Sequence, residues 1–158
     1  MNRLALAVAL VIAVPAFAKP AHKPAPAAAP LKLPKFLSFA KGSTELPPGH
    51  DKVLGTVKQY LAAHPEVTLL RVEGYYDQND TPELAETHSS ARALGAGKWL
   101  VKNGVDCKRL IAVNYVKGGD MREGGAYATF VNVGLKGKPI GGVKPEGTGK
   151  RAGDLCAN

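Results

Sequence analysis

The chain has 158 residues, a formal net charge of +8 and 45% hydrophobic residues. This length is sufficient for one domain with a hydrophobic core and too short for two domains of ordinary size. The two cysteines exclude a disulfide-dense scaffold and a zinc site built from four thiolates. No apolar run reaches the roughly 20 residues that a membrane-spanning helix needs.

Residues 1–18 have the organisation of a cleaved signal peptide. Arg3 supplies the positive charge, Leu4 to Val14 is an unbroken apolar stretch, and Ala16-Phe17-Ala18 places small residues where a signal peptidase reads them. The alternative is an N-terminal membrane anchor, but the apolar stretch is too short for one. No cysteine follows it for a lipid anchor, so we expect a periplasmic protein without a transmembrane segment after cleavage.

Export changes how the basic charge is interpreted. A basic cytosolic protein would suggest a nucleic-acid partner, whereas an exported one meets anionic polymers of the cell envelope. We therefore expect no nucleic-acid binding. Two explanations of the charge stay open, namely plain solvation of the surface and binding of anionic polymers through the basic C-terminal segment.

Two segments of unusual composition flank the expected domain. Residues 19–35 are rich in Pro and Ala, which is typical of an extended linker. Residues 136–158 form a Gly/Lys-rich tail with few large apolar side chains. We expect this tail to stay loose, because it buries too little surface to offset its ordering entropy. The compact domain is then expected over residues 36–135.

The first half of that domain predicts a strand, a helix and a second strand. Phe36 to Ala40 is a short apolar strand, and the helix opens near Pro47 and stops at Pro65. Val67 to Glu73 is a β-rich segment that we expect to end at Gly74. The helix carries the spacing of an element buried on one side, with the stripe Val53, Leu54, Val57, Tyr60, Leu61 and His64.

The second half predicts a long helix and two further strands. The helix should run from Pro82, a favoured first-turn residue, to Asn103, with Gly104 as its stop. Its buried stripe is expected to contain Ala93, Ala96 and Leu100. Strands follow at Leu110 to Val116 and Tyr127 to Val133, joined by a polar loop from Gly118 to Gly125. The order β-α-β-α-β-β predicts an α+β fold with two helices packed on one mixed sheet.

The residues around the end of the second predicted strand resemble the OmpA-like domain family. This peptidoglycan-binding domain also occurs in peptidoglycan-associated lipoproteins and flagellar stator proteins. The matching residues are Gly74, Asp77, Ser89, Arg92 and Ala93, and the interval of fifteen residues from Asp77 to Arg92 is that of common family members. The resemblance implies the OmpA-like fold, a place in the outer-membrane-associated cell envelope, and peptidoglycan as the partner.

Several positions depart from the family pattern. Tyr75-Tyr76 replaces the usual His-Thr, Ala85 replaces the Asn at the helix start, and His88 replaces a Leu. The later Asn-Arg-Arg-Val motif is missing. These departures favour an alternative function, in which the domain keeps the fold, has lost peptidoglycan binding, and serves as a structural or interaction domain for an envelope protein.

In the family, the matching Asp and Arg hold the diaminopimelate of the peptidoglycan stem peptide. The resemblance therefore implies that Asp77 accepts hydrogen bonds from the ligand ammonium, while Arg92 donates two parallel bonds to its carboxylate. The alternative is an ordinary surface ion pair. Tyr75 and Tyr76 either stack on sugar rings or pack the strand. His88 shares a helical face with Arg92 and either lines the site or is simply exposed.

Nothing in the sequence predicts covalent or metal chemistry. We find no nucleophile motif and no Cys/His spacing typical of a metal site. We therefore expect a non-covalent binding module without catalytic residues, metal or cofactor, and not an enzyme.

Export permits a disulfide between Cys107 and Cys156. Such a bond would attach the tail near the end of the second helix. The alternatives are two free thiols or an intermolecular bridge.

Overall fold

A computed structural model describes residues 32–115, 126–142 and 144–157, and these form two helices and one mixed sheet. The predicted signal peptide, most of the linker and the predicted Gly118–Gly125 loop lie outside the described residues. The helices are α1 (His50–Ala63) and α2 (Pro82–Lys102). The strands are β1 (Leu37–Ser38), β2 (Val67–Tyr75), β3 (Leu110–Tyr115), β4 (Tyr127–Leu135), β5 (Lys138–Pro139) and β6 (Lys150–Gly153).

The sheet is built around β2. Its strand order is β1-β4-β2-β3-β6, with β5 paired to the far end of β4. β2 and β3 run parallel, and the other pairs are antiparallel. This arrangement confirms the predicted α+β fold with two helices on a mixed sheet. No helix in the described part of the chain is long and apolar enough to cross a membrane.

The helix α1 buries the face that its sequence spacing predicts. Leu54, Val57 and Leu61 are buried in the main core. At its C-terminal end the Arg109 guanidinium donates to the carbonyls of Leu61, His64 and Val67 at 2.8 to 3.3 Å. The bonds to Leu61 and His64 satisfy carbonyls that the helix end leaves without intrahelical partners, and the bonds to Val67 connect this end to the start of β2.

The helix α2 begins and ends close to where the sequence predicts. The Thr81 side chain accepts a bond from the Leu84 N–H, and Pro82 occupies the first turn. The predicted stripe of Ala93, Ala96 and Leu100 is fully buried. The small side chains of Ala93 and Ala96 allow α2 to pack closely on the sheet.

The strand β2 continues through Gly74, so the expectation that Gly74 ends it is wrong. A Cβ atom at Gly74 would lie 1.9 Å from the Ser89 carbonyl oxygen and 2.9 Å from the Ala93 nitrogen. Glycine is required here because the backbone of α2 lies directly against the strand. The buried Ser89 hydroxyl donates within its own helix to the Ala85 carbonyl at 2.7 Å. This packing contact therefore explains why Gly74, Ser89 and Ala93 are part of the family pattern.

The C-terminal segment is ordered, which corrects the expectation of a loose tail. β6 pairs antiparallel with β3, and Leu155 is buried against Gly97 of α2. Between β5 and β6, the Pro145 carbonyl accepts a 2.8 Å bond from Nη1 of Arg71. Strand pairing and one well-placed leucine supply the stabilisation that the average composition of the segment does not reveal.

The predicted disulfide joins Cys107 to Cys156, with their Cα atoms 5.2 Å apart. It closes a loop with a sequence separation of 49 residues. In the chain-entropy model, a loop of this length stabilises the fold by about 4 kcal/mol. The bond therefore holds the C-terminal segment against the end of α2.

The contact at Gly74 predicts the outcome of a matched pair of alanine substitutions. Gly74→Ala should lower the free energy of unfolding by about 3 kcal/mol or more, because rigid backbone atoms cannot make room. Gly55→Ala lies in α1 with nothing within 4 Å of the added atom, and it should raise stability by about 0.5–1 kcal/mol through helix propensity. Urea denaturation measures both, and equal effects would contradict the contact.

The ordering of the tail is tested by a second pair of substitutions. Leu155→Ala should lower the free energy of unfolding by about 2–4 kcal/mol, as expected for a buried leucine. Ile140→Ala removes an exposed side chain of the same segment, so its effect should stay within about 0.5 kcal/mol. A Leu155→Ala protein as stable as wild type would show that the tail does not contribute to the core.

Candidate functional site

The contact between β2 and α2 brings the two charged residues of the family pattern to one end of the sheet. Asp77 follows the last residue of β2 by two positions, and Arg92 lies in α2 three residues beyond Ser89. The side chains are not on the surface. Arg92 is fully buried and Asp77 is 7% exposed.

Arg92 joins three parts of the chain. Its Nε donates to the Ser43 carbonyl at 2.8 Å, and its Nη1 donates to the Tyr75 carbonyl at 2.9 Å. The Phe39 ring centroid lies 5.8 Å from the guanidinium carbon, within the range of a cation–π contact. Arg92 thus ties the segment before α1 to the end of β2.

One nitrogen of the same guanidinium has no hydrogen-bond partner among the described residues. Nη2 is buried, and it donates to no group in the described part of the chain. Burial lowers the pKa of Arg92, and the negative charges of Asp80 and Asp77 oppose this shift. A buried cationic nitrogen with unused N–H donors is costly, and a hydrogen-bond acceptor placed on it would relieve that cost.

Asp77 is held as an ionised carboxylate by its own loop. Its Oδ1 accepts bonds from the Asn79 backbone N–H at 3.0 Å and from Asn79 Nδ2 at 2.7 Å. These two bonds lower the pKa of Asp77, and the charges of Lys41 and Arg92 add smaller contributions. Among the ion pairs of the described residues, none within 4.0 Å joins Asp77 to Arg92, so they do not form the surface ion pair that was the alternative interpretation.

A second carboxylate, Asp80, lies closer to Arg92. Its Oδ2 accepts a 3.0 Å bond from the Asp77 backbone N–H and is 3.9 Å from Nη1 of Arg92. Its Oδ1 accepts a 3.0 Å bond from Nδ1 of His88. Asp80 was not among the residues predicted from the sequence. Its position directly before Thr81, the N-cap of α2, was a usable signal, because helix N-termini favour acidic side chains.

The two predicted tyrosines occupy different environments. The Tyr75 side chain lies on the sheet face opposite α2, where its hydroxyl donates to Glu73 at 2.8 Å and its ring stacks on Tyr127 at 4.6 Å. Burial raises the pKa of Tyr75 above its usual range. Its backbone carbonyl accepts the bond from Nη1 of Arg92. Tyr76 is half-buried between β2 and Asp77.

Other features of the described residues lie apart from this cluster. A cavity of about 480 Å³ is lined by β3, β6 and the disulfide, and its lining includes Lys108 and Arg151 but neither Asp77 nor Arg92. Within residues 32–115, 126–142 and 144–157, no group of three or more His, Cys, Asp or Glu side chains could hold a metal ion.

Comparison with known proteins assigns the family. The model of the OmpA family matches residues 38–126, which is more than half of the chain, and the chain therefore belongs to the OmpA family. A search of curated protein sequences found no match.

Two solved structures resemble the fold. The OmpA-like domain of FopA1 from Francisella tularensis subsp. tularensis SCHU S4 is 17% identical, with a TM-score of 0.52 over 65% of this chain and 73% of that one. The peptidoglycan-associated lipoprotein from Burkholderia pseudomallei is 23% identical, with a TM-score of 0.54 over 62% of this chain and 89% of that one. At these identities the two structures support the fold alone.

The bonds from Asn79 predict how Asp77 titrates. Asn79→Ala removes the side-chain donor and keeps the backbone one, so the pKa of Asp77 should rise but stay below its usual range. Because the pKa of Asp77 is lowered in the folded state, its stabilising contribution is lost as pH falls through that pKa. The variant should therefore lose this contribution at a higher pH than wild type does.

Carboxyl ¹³C NMR titration measures this shift directly. Gln78→Ala, which changes an exposed neighbour in the same loop, is the control and should leave the titration of Asp77 unchanged. An unchanged Asp77 titration in the Asn79→Ala protein would contradict the proposed origin of the shift.

Proposed function

We propose that this protein is a non-enzymatic peptidoglycan-binding module of the periplasm that recognises the diaminopimelate of the stem peptide. Membership of the OmpA family supports this proposal, as does the similarity of the fold to a peptidoglycan-associated lipoprotein. In this role Asp77 accepts hydrogen bonds from the ligand ammonium, and Arg92 donates to the neighbouring acceptor group of the ligand.

The observation that carries the proposal is that Nη2 of Arg92 has no hydrogen-bond partner among the described residues, while the charge of the ionised Asp77 acts on the same guanidinium. A purely structural arginine in a core is expected to have its donors satisfied. Here two backbone carbonyls fix the orientation of the guanidinium, and one nitrogen is left over. A fixed cation with spare donors next to a fixed anion matches a ligand group that carries an ammonium and an acceptor on the same carbon.

Because both side chains are almost completely buried, access to this pair would require movement of the residues around it. Gln78 and Asn79 are exposed, whereas Asp77 and Arg92 are almost completely buried. The ligand head would enter where these two loop residues face solvent. The affinity would then be reduced by the cost of opening the loop.

The same burial favours a second candidate function. A pair closed off from solvent is also what a domain would show if it had kept the fold and lost the ligand. Ala85, buried at the position of the family's helix-start Asn, is consistent with that loss. In this case the protein would be a structural or interaction domain with a protein partner in the envelope.

Retention of the purified protein on peptidoglycan sacculi distinguishes the two functions. Wild type should be retained, and Asp77→Asn and Arg92→Lys should each bind about tenfold or more weakly, since hydrogen bonds to charged groups contribute about 1.5–3 kcal/mol. Arg92→Lys keeps the charge and removes the spare nitrogen. Thermal unfolding of each variant verifies that the loss of binding is not a loss of fold.

Glu86→Gln is the matched control, because it removes an exposed carboxylate from α2. It should bind as wild type does. The assay is repeated at high salt, which weakens non-specific binding of a basic chain to an anionic polymer. Equal retention of wild type, Asp77→Asn and Arg92→Lys would remove the proposed site, and no retention of wild type would favour the second function.

A further inference from the structure

We infer that Asp80 determines the specificity of this site, by favouring a ligand head that carries an ammonium beside a neutral carboxamide over one that carries an ammonium beside a carboxylate. The inference deepens the proposed function and rests on it. Asp80 is not one of the residues that match the family pattern, and the inference rests on the charges that surround Arg92.

In the buried part of the site, two carboxylates act on one guanidinium. Asp77 and Asp80 are both nearly buried, the Asp80 side chain being 6% exposed, and both act on the single guanidinium of Arg92. Lys41, which also acts on Asp77, is exposed to solvent and therefore screened. Asp80 already offsets the charge of Arg92, so Asp77 is the carboxylate that a ligand ammonium would neutralise.

A ligand carboxylate on Nη2 would meet this second carboxylate. Asp80 Oδ2 is 3.9 Å from Nη1, and Nη1 and Nη2 are carried by the same guanidinium carbon. A ligand carboxylate bonded to Nη2 and the Asp80 carboxylate, which lies 3.9 Å from Nη1, would act on the same guanidinium and repel each other in a buried site. Binding a carboxylate there therefore costs part of what Arg92 contributes.

A carboxamide fits the same position without this cost. Its oxygen accepts from Nη2 of Arg92, and its NH₂ group is a donor that a neighbouring carboxylate can accept. Asp80 is held in place for such a contact, because its two oxygens accept bonds from the Asp77 N–H and from His88 Nδ1.

The test compares two soluble stem peptides that are identical except at diaminopimelate, where one carries the free side-chain carboxylate and the other its carboxamide. Isothermal titration calorimetry gives the dissociation constant of each peptide for the full chain. Wild type should bind the carboxamide peptide about tenfold more tightly. Long-range attraction by a chain of net charge +8 would favour the more anionic peptide, so this preference opposes the general electrostatic effect.

Asp80→Asn provides the decisive variant. It keeps the shape of the side chain and an acceptor for the Asp77 N–H, and it removes the charge. The preference for the carboxamide should disappear, chiefly because the carboxylate peptide binds more tightly than it does to wild type. Asp80→Glu keeps the charge and should keep the preference, and Glu86→Gln, with the same loss of one charge at an exposed position, should also keep it.

The outcomes separate this inference from the function on which it rests. If wild type binds neither peptide, both the inference about Asp80 and the proposed function are wrong. If wild type binds both peptides without preference, or prefers the carboxylate peptide, the inference about Asp80 is wrong and the proposed function still holds. This result does not depend on whether Asp80→Asn folds. A preference that Asp80→Asn retains at full size also overturns the inference, because the charge of Asp80 would then not be its cause.

Discussion

The backbone of α2 lies so close to β2 at Gly74 that an added Cβ atom would overlap the Ser89 carbonyl. This contact sets the height of α2 above the sheet, and the position of Arg92 follows from it, since Arg92 is less than one helical turn beyond Ser89. Only glycine allows the approach. The strand and helix residues of the family pattern are therefore required by packing, whereas Asp77 and Arg92 use the geometry that this packing creates.

Arg92 then combines a structural role with the binding role that we propose for it. Its bonds to the Ser43 and Tyr75 carbonyls connect the segment before α1 to the end of β2, and this fixes the direction of the guanidinium without any ligand. A preorganised cation loses little freedom on binding. The remaining nitrogen, the ionised Asp77 and the nearby Asp80 form one electrostatic unit, so a change in any of the three alters the environment of the other two.

Local sequence patterns correctly predicted the two helices, and the presence of only two cysteines predicted the disulfide. The apolar spacing of α1, the Pro82 start of α2 and the pairing of Cys107 with Cys156 are confirmed. The order of the C-terminal segment was not predictable from its composition, because β6 is stabilised by pairing with β3 and by one leucine on α2. Gly74 was interpreted as a strand end, because its real role depends on contact with α2, which lies further along the chain. In the site, the family resemblance indicated Asp77 and Arg92. It could not indicate Asp80, because Asp80 is not one of the matching residues and its importance comes from its distance to the guanidinium.

The central claim is that Nη2 of Arg92 donates a hydrogen bond to the ligand. It is tested most directly by side-chain NMR of the ¹⁵N-arginine-labelled protein, with and without a stem peptide that contains diaminopimelate. The account predicts that the Nη2 protons of Arg92 shift and exchange more slowly with water when the peptide binds, because they gain an acceptor. Binding of the peptide with unchanged Arg92 signals would contradict it.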